Sequence, residues 1–447
     1  MLTDSELTDI FLFYNPWWLG KMPSSLLKPY HRPVFTKCLK YLHLERILVI
    51  KGPRRVGKTT LVYQLIDELL KRKPPQNIFY LSFDDPRLND LDSEHIIGFY
   101  ENKILKKPLE KENVYFFFDE VQYFKKWPFL IKRYFDRHYP IKFIVSGSSS
   151  TLMKKGAESL AGRTIEEILL PFSFKECVEC TTNERIDLGD FDSLESLDLL
   201  KIKRYEKQLK LLFEKYIRQG GFPNLFEIND ETLWPKIMRE DIVEKVIYKD
   251  LVNLYDIKKP EILEKLFFYA AGINGQILNV QNISRTLGLS REYINHYLLY
   301  LKNAYLLFTI EKFALSLEKT LRSQEKVYIF DPGLTNALLN KREITRDYLG
   351  HLIEGMVAVH LFGKEVYYWK NYFEIDFIIK DKRGILPLEV KYQRKIDHSD
   401  LKGLFSFADK FKVEKMMVVS EDLYQRENID GRTVLFIPAW LFLCAAA

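Results

Sequence analysis

Residues 52–59, Gly-Pro-Arg-Arg-Val-Gly-Lys-Thr, stand between an apolar run and a helical pattern, and this order constrains the fold more than anything else in the chain. The octet satisfies G-x-x-x-x-G-K-[ST] without a mismatch. Gly52 and Gly57 let the backbone curl so that successive N–H groups face one anion. Lys58 supplies positive charge to the β- and γ-phosphates of a nucleotide, and the Thr59 hydroxyl is placed to ligate Mg²⁺. Pro53, Arg54, Arg55 and Val56 complete the loop, and Thr60 follows it. Upstream, Arg46-Ile-Leu-Val-Ile50 reads as a buried strand. Downstream, Leu61, Leu65 and Leu69 fall on one helical stripe, so a helix N-terminus points its dipole at the phosphates. The expected ligand is ATP with Mg²⁺.

Bulk properties narrow the class further. A length of 447 residues allows two to four domains, and 47% hydrophobic with 29% charged residues describes a globular chain. The net charge of +6 permits contact with nucleic acid without arguing for it. No apolar run approaches the roughly 20 residues of a membrane span, so no membrane partner is expected. The first residues are acidic and lack the basic start of a signal peptide. Four cysteines do not make a disulfide framework, which points to the cytoplasm. Cys177 and Cys180 form one C-x-x-C, but no second pair or histidine lies near enough in sequence to complete a zinc site.

Strand-like runs recur at Ile47–Ile50, Ile78–Ser82, Val114–Phe118 and Lys142–Val145 with helical stretches between them, the pattern of a parallel sheet with crossover helices. The third run, Val114-Tyr-Phe-Phe-Phe, ends in Asp119-Glu120. A buried strand that delivers two carboxylates at its C-terminal edge sets them beside the phosphate loop. Asp119 is expected to hold Mg²⁺ and Glu120 to polarise the attacking water. The next strand ends in Ser146-Gly-Ser-Ser-Ser150, with Ser148 the candidate sensor of the γ-phosphate and Ser146 the second choice; a plain serine-rich turn is the competing reading.

These motifs, with Leu160-Ala-Gly-Arg163, Leu170-Pro-Phe-Ser-Phe-Lys-Glu176, Asn15-Pro-Trp-Trp18 and Gly220-Gly-Phe-Pro223, resemble the archaeal/bacterial AAA+-type ATPase family. Members often carry a nuclease-like C-terminal domain. The resemblance implies an arginine-finger role for Arg163. In trans, that role requires a homo-oligomer. The alternative is a structural arginine in a helix-end pair.

Further along, Ile283 to Leu301 reads as a helix, a Gly turn and a Ser-capped helix, followed by a β-like stretch at Tyr305–Phe313, which together make a winged helix-turn-helix. Its second helix offers Arg291, Asn295, His296 and Lys302 to DNA or to a protein. In Phe373-Glu-Ile-Asp-Phe-Ile-Ile, alternation sets Glu374 and Asp376 on one face. In Leu386-Pro-Leu-Glu-Val-Lys-Tyr it sets Glu389 and Lys391 on one face, and Asp381-Lys-Arg-Gly384 reads as the hairpin turn between. Two carboxylates and a lysine converging in this way suit a divalent metal and a developing phosphorane. The segment resembles the PD-(D/E)xK nuclease superfamily, with Glu354 in the place of its upstream helical glutamate and Ile375 where the pattern has proline. The resemblance implies Asp376, Glu389 and Lys391 as catalytic, Glu354, Asp376 and Glu389 as ligands of Mg²⁺ or Mn²⁺, and DNA as partner.

The expected architecture is α/β and multidomain. A 1–45 aromatic segment packs on a 46–255 P-loop parallel-sheet ATPase core with a helical lid. A 256–335 winged helix-turn-helix and a 336–447 α/β restriction-endonuclease-like domain follow. The expected function is an ATP-hydrolysing motor or remodeller acting on DNA. The alternative is a nucleotide-controlled switch or docking protein whose nuclease-like domain is inactive.

Overall fold

The apolar runs form the interior of a five-stranded sheet. Strands β1 (Ile47–Gly52), β2 (Ile78–Ser82), β3 (Val114–Asp119) and β4 (Ile141–Ser148) are almost wholly buried, because helices cover both faces of a parallel sheet. A fifth strand, β5 (Thr164–Ile168), pairs with β1, and the order is β2-β3-β4-β1-β5, all parallel. Its half-exposed Thr-Ile-Glu-Glu-Ile carries little apolar pattern, which suits an edge position. The computed structural model describes residues 3–88, 91–124, 127–148, 160–189, 191–316, 318, 320, 323–341 and 344–445. Ser149 and Ser150 lie outside them.

The other edge, β2, is closed by the N-terminal segment. Helix α1 (Asp4–Tyr14) starts at a capping box between Thr3 and Glu6 and buries Leu7, Ile10 and Phe11. Phe11 packs on Phe79, with ring centroids 4.9 Å apart. The Asn15 side chain then does the work of a neighbouring strand. It donates to the Tyr80 carbonyl at 2.9 Å and accepts from the Tyr80 N–H at 2.7 Å. Trp17 donates its indole N–H to the Ile78 carbonyl at 3.1 Å. The edge is thus covered without a sixth strand. Helices α2 (Pro33–Tyr41), α3 (Lys58–Leu70), α4 (Ser93–Phe99) and α5 (Trp127–Asp136) complete this unit, which spans Met1–Leu170.

The second unit is Pro171–Ala447, so residues 171–255 group with the C-terminal part of the chain rather than with the nucleotide-binding sheet. The cause is a set of buried bonds formed within this unit. The Asn336 side chain donates to the carbonyls of Ile217 and Arg218, each at 2.9 Å. The Asp331 carboxylate accepts from the Gly221 N–H at 2.6 Å and from the Leu334 N–H at 2.9 Å. A Cβ on Gly221 would lie 2.1 Å from the Phe172 carbonyl oxygen, so this close approach requires glycine. Full burial pushes the Asp331 carboxyl up to about 7, against the backbone N–H groups that pull it down.

Two helices, Val280–Leu287 and Arg291–Asn303, follow one another, with Gly288 ending the first and Ser290 capping the second. Strands β6 (Leu307–Lys312) and β7 (Lys326–Ile329) come after them and pair antiparallel. They do not end there. β6 also runs parallel to β8 (Glu365–Lys370), joining β9 (Glu374–Asp381), β10 (Gly384–Lys391), β11 (Lys415–Ser420), β12 (Gln425–Ile429) and β13 (Arg432–Pro438) in one sheet. The order is β12-β13-β11-β10-β9-β8-β6-β7. A boundary at 335/336 would cut through this sheet, because β6–β8 pairing satisfies backbone groups that a lone β6–β7 pair leaves open. Among the described residues, no helix is long and apolar enough to cross a membrane.

Candidate functional site

β1 ends at Gly52, where a Cβ would lie 1.9 Å from the Leu169 carbonyl oxygen, so only glycine passes. Gly57 has φ +92° and forms the N-cap of α3. Arg55 also sits in the left-handed region at φ 65°. Helix α3 then begins at Lys58 with no side-chain cap at Gly57, which leaves first-turn N–H groups turned to the loop. Lys58 is buried, and its ammonium donates to the loop's own carbonyls, Gly52 at 3.1 Å and Pro53 at 2.8 Å. Val56 is fully buried beneath the loop, while Arg54 donates to the Tyr123 hydroxyl at 3.0 Å.

Asp119 ends β3 beside this loop. Its carboxylate accepts from the Thr59 hydroxyl at 2.6 Å, from the Tyr80 hydroxyl at 3.2 Å and from the Ser146 hydroxyl. A hydroxyl and a carboxylate oxygen in contact form a hard-oxygen donor pair that fits Mg²⁺. Thr59 and Asp119 would hold that ion, which would supply positive charge to the phosphates of a bound nucleotide. Glu120 follows in the left-handed region at φ 50°, a conformation that non-glycine residues adopt at a cost. Gln122 donates its amide N–H to Glu120 and accepts the Ser148 N–H at 3.3 Å. Burial raises the Glu120 carboxyl and the Asp119 charge adds to this, while Lys58 and Arg54 oppose it. A carboxylate moved upward toward neutrality is a better proton acceptor at neutral pH. Ser148 is buried and lies directly opposite Gly52 in the β1–β4 register, so it stands at the level of the loop.

Arg163 does not join this group. It precedes β5, whose first residue pairs with Ile47 at the start of β1, while the loop follows the end of β1. The strand length alone separates them by about 20 Å. There the guanidinium binds Asp136 at the end of α5, at 2.7 and 3.2 Å. It cannot reach a phosphate bound to its own chain.

Residues 44–178 match the family described as AAA domain. The match agrees with the five-stranded parallel sheet and the phosphate loop, and together they support a P-loop ATPase domain of the AAA type in the N-terminal unit. Residues 210–345 and 349–440 match two domains of unknown function, DUF8612 and DUF4143. The protein MJ1637 of Methanocaldococcus jannaschii is 25% identical over 418 residues, covering 89% of this chain and 85% of its own. A protein of Haemophilus influenzae is 26% identical over 417 residues, covering 90% and 96%. Among solved structures, the Aeropyrum pernix ORC1 protein in complex with DNA aligns with TM-score 0.31 and 11% identity over 73% of this chain and 96% of that one.

Outside the AAA domain, the helix Arg291–Asn303 presents Arg291, Asn295 and His296 as exposed side chains, whereas Lys302 is half-buried and bonded to Glu325 at 2.9 Å. The β9–β10 hairpin turns at Asp381–Gly384 and brings Asp376, Glu389 and Lys391 together. The Asp376 N–H donates to Glu389 Oε2 at 3.3 Å, the Val390 N–H donates to Asp376 Oδ2 at 2.9 Å, and Lys391 binds Glu389 Oε1 at 2.7 Å. Glu354 arrives from the helix Arg346–His360 and is also buried. Burial pushes the Glu354 carboxyl up to about 7 and the Glu389 carboxyl up to about 8.

Three participants have contacts to which the sequence reading assigned no role. Tyr80 and Gln122 touch the two acids of the AAA domain, and Lys326 enters the C-terminal acid cluster from β7. Lys326 and Tyr328 alternate with Val327 and Ile329, so a polar face on that strand was visible. Its destination was not.

Proposed function

We propose that the chain binds and hydrolyses ATP, and that this controls a DNA-contacting second unit. The observation that carries the reading is the group formed by Lys58, Thr59, Asp119 and Glu120 at one edge of the sheet. Lys58 and the α3 N–H groups would receive the phosphates. Glu120 would take the proton of the attacking water, held in place by Gln122, while the Ser148 N–H keeps Gln122 in register with the loop. The exposed Arg291, Asn295 and His296 are the proposed DNA contacts, because the second helix of such a motif is the element that enters a major groove. The folded β9–β10 hairpin with Asp376, Glu389 and Lys391 supports a nuclease-like domain.

Arg163 is proposed to serve a neighbouring copy. It is partly exposed, and its own chain offers it no phosphate. Lys58→Ala is expected to lower ATP turnover by about a hundredfold or more. Turnover at the wild-type rate would remove the loop from the mechanism. Mixing Lys58→Ala with Arg163→Ala protein is expected to restore part of the lost turnover, because each supplies what the other lacks. No restoration would confine Arg163 to its pair with Asp136.

A further inference from the structure

A divalent metal at the C-terminal cluster needs carboxylate oxygens turned to a common point. The geometry there is different. Asp376 Oδ1 lies 3.2 Å from the Lys326 ammonium, and Asp376 Oδ2 accepts the Val390 N–H at 2.9 Å. Glu389 Oε1 binds Lys391 at 2.7 Å, and Glu389 Oε2 accepts the Asp376 N–H at 3.3 Å. Each of the four oxygens therefore already has a donor. Lys326 is the central group. Its side chain is 1% exposed, and it also contacts Glu354 Oε1 at 3.1 Å and Glu374 Oε1 at 2.7 Å. Tyr328, two residues on and on the same face, donates to Glu354 Oε1 at 2.8 Å. Among the described residues, no group of three or more His, Cys, Asp and Glu side chains is arranged to hold a metal ion. The residues present do not fit the metal that the nuclease resemblance implies.

We propose that Lys326 is the resident cation of this cluster, standing where a nuclease of this kind would place a divalent metal. The charge is covalently attached, so it cannot be exchanged with Mg²⁺ or Mn²⁺ from solution. Cleavage would need a metal to activate water, and the ammonium supplies neither an open coordination position nor Lewis acidity. What the ammonium does supply is cohesion. A lysine buried among Glu354, Glu374 and Asp376 balances carboxylates that would otherwise repel one another. It also ties β7, at one edge of the sheet, to β9 and to the helix Arg346–His360. The nuclease-like domain thereby becomes a metal-independent body that can hold DNA or another partner without cutting it.

The test is Mn²⁺ binding to the full chain without nucleotide, followed by electron paramagnetic resonance, for wild type and Asp376→Asn. Identical isotherms are expected, because no bound Mn²⁺ should depend on Asp376. Wild-type binding that Asp376→Asn removes would overturn the proposal. A second measurement uses Lys326→Met. Its thermal midpoint should fall by about 10 °C, the loss expected from orphaned buried carboxylates. Millimolar Mn²⁺ should raise that midpoint in Lys326→Met but neither in wild type nor in Lys326→Met/Asp376→Asn. An unchanged midpoint in Lys326→Met, or a Mn²⁺-stabilised wild type whose stabilisation Asp376→Asn abolishes, would count against a resident cation.

Discussion

The phosphate loop and the C-terminal acid cluster are made of the same parts. Each has acids carried on strands, a buried lysine and at least one hydroxyl donor. They differ in what the lysine touches. In the AAA domain, Lys58 rests on the carbonyls of Gly52 and Pro53, and the three donors named on Asp119 are neutral hydroxyls. Exchanging those contacts for phosphate oxygens or a metal replaces a few hydrogen bonds that each have one neutral partner, worth about 1.5–3 kcal/mol apiece, with bonds of the same kind or stronger. In the second cluster, Lys326 and Lys391 contact the carboxylates themselves. Displacing an ammonium there strands charge in a buried place, at several kcal/mol. The first arrangement is open to a ligand and the second is closed by its own chain. Counting acids and lysines in the sequence does not separate the two cases.

The largest expected effect sets one carboxylate of each site against the other. Glu120→Gln should cut ATP turnover by about 10²- to 10⁴-fold, the loss of a general base, while ATP binding measured by fluorescence titration persists. Asp376→Ala should leave turnover near wild type and lower unfolding free energy by about 3 kcal/mol, because Lys326 and the Val390 N–H lose an acceptor. If Asp376→Ala abolished turnover, or left stability unchanged, the division between an open and a closed site would fail.

A slightly smaller effect probes how firmly the second unit excludes charge away from the cluster. His360 is buried. Its Nδ1 faces the Met356 carbonyl at 2.8 Å, and its Nε2 accepts the Phe174 N–H at 3.1 Å, which fixes the neutral tautomer. Burial lowers its pKa to about 4, against the Met356 carbonyl bond and the Glu176 charge, which raise it. Between pH 6.5 and 4 the unfolded chain takes up a proton that the folded chain refuses. Stability contributed by neutral His360 is therefore lost as pH falls through that window, by about 3 kcal/mol. Asp331, whose carboxyl is raised, acts in the opposite sense as pH climbs toward 7. Urea unfolding of wild type minus His360→Asn isolates the histidine. A difference that does not vary with pH would mean that the ring titrates alike in the folded and the unfolded chain.

The motifs read from the sequence were those in which chemistry is contiguous. The octet at 52–59, Asp119-Glu120 and the turn at Asp381–Gly384 each lie within a few residues, so local pattern and function coincide. Other features depend on contacts made at a distance. Lys326 meets Asp376 across 50 positions, and nothing near Lys326 marks its destination. Arg163 sits in a family-like segment, yet its partner Asp136 comes from another helix 27 positions away. β5 was missed because a half-exposed edge strand needs little apolar alternation. The unit boundary at 170/171 follows from Asn336 and Asp331 reaching back to residues 217–221, which composition does not register.

The smallest effect examines the open site itself. Tyr80 is one of three hydroxyls on Asp119, and its ring is fixed within the core, 4.9 Å from Tyr63. Burial raises the phenol well above its usual range, with the Asp119 charge adding to it, so the group donates and does not ionise. Tyr80→Phe keeps the ring and removes only the donor. Asp119 retains Thr59 and Ser146. The expected cost is about 1.5–3 kcal/mol of stability, the value of one hydrogen bond to a charged group. Turnover should stay near wild type at saturating Mg²⁺, because the retained donors still hold the carboxylate. Thermal unfolding and a Mg²⁺ titration of ATPase rate measure both. A loss as large as that of Asp376→Ala would show that Asp119 depends on its donors as strictly as Asp376 does on Lys326. The hydroxyls would then belong to a closed network, and the difference between the two sites would lie in which ligand each has already accepted.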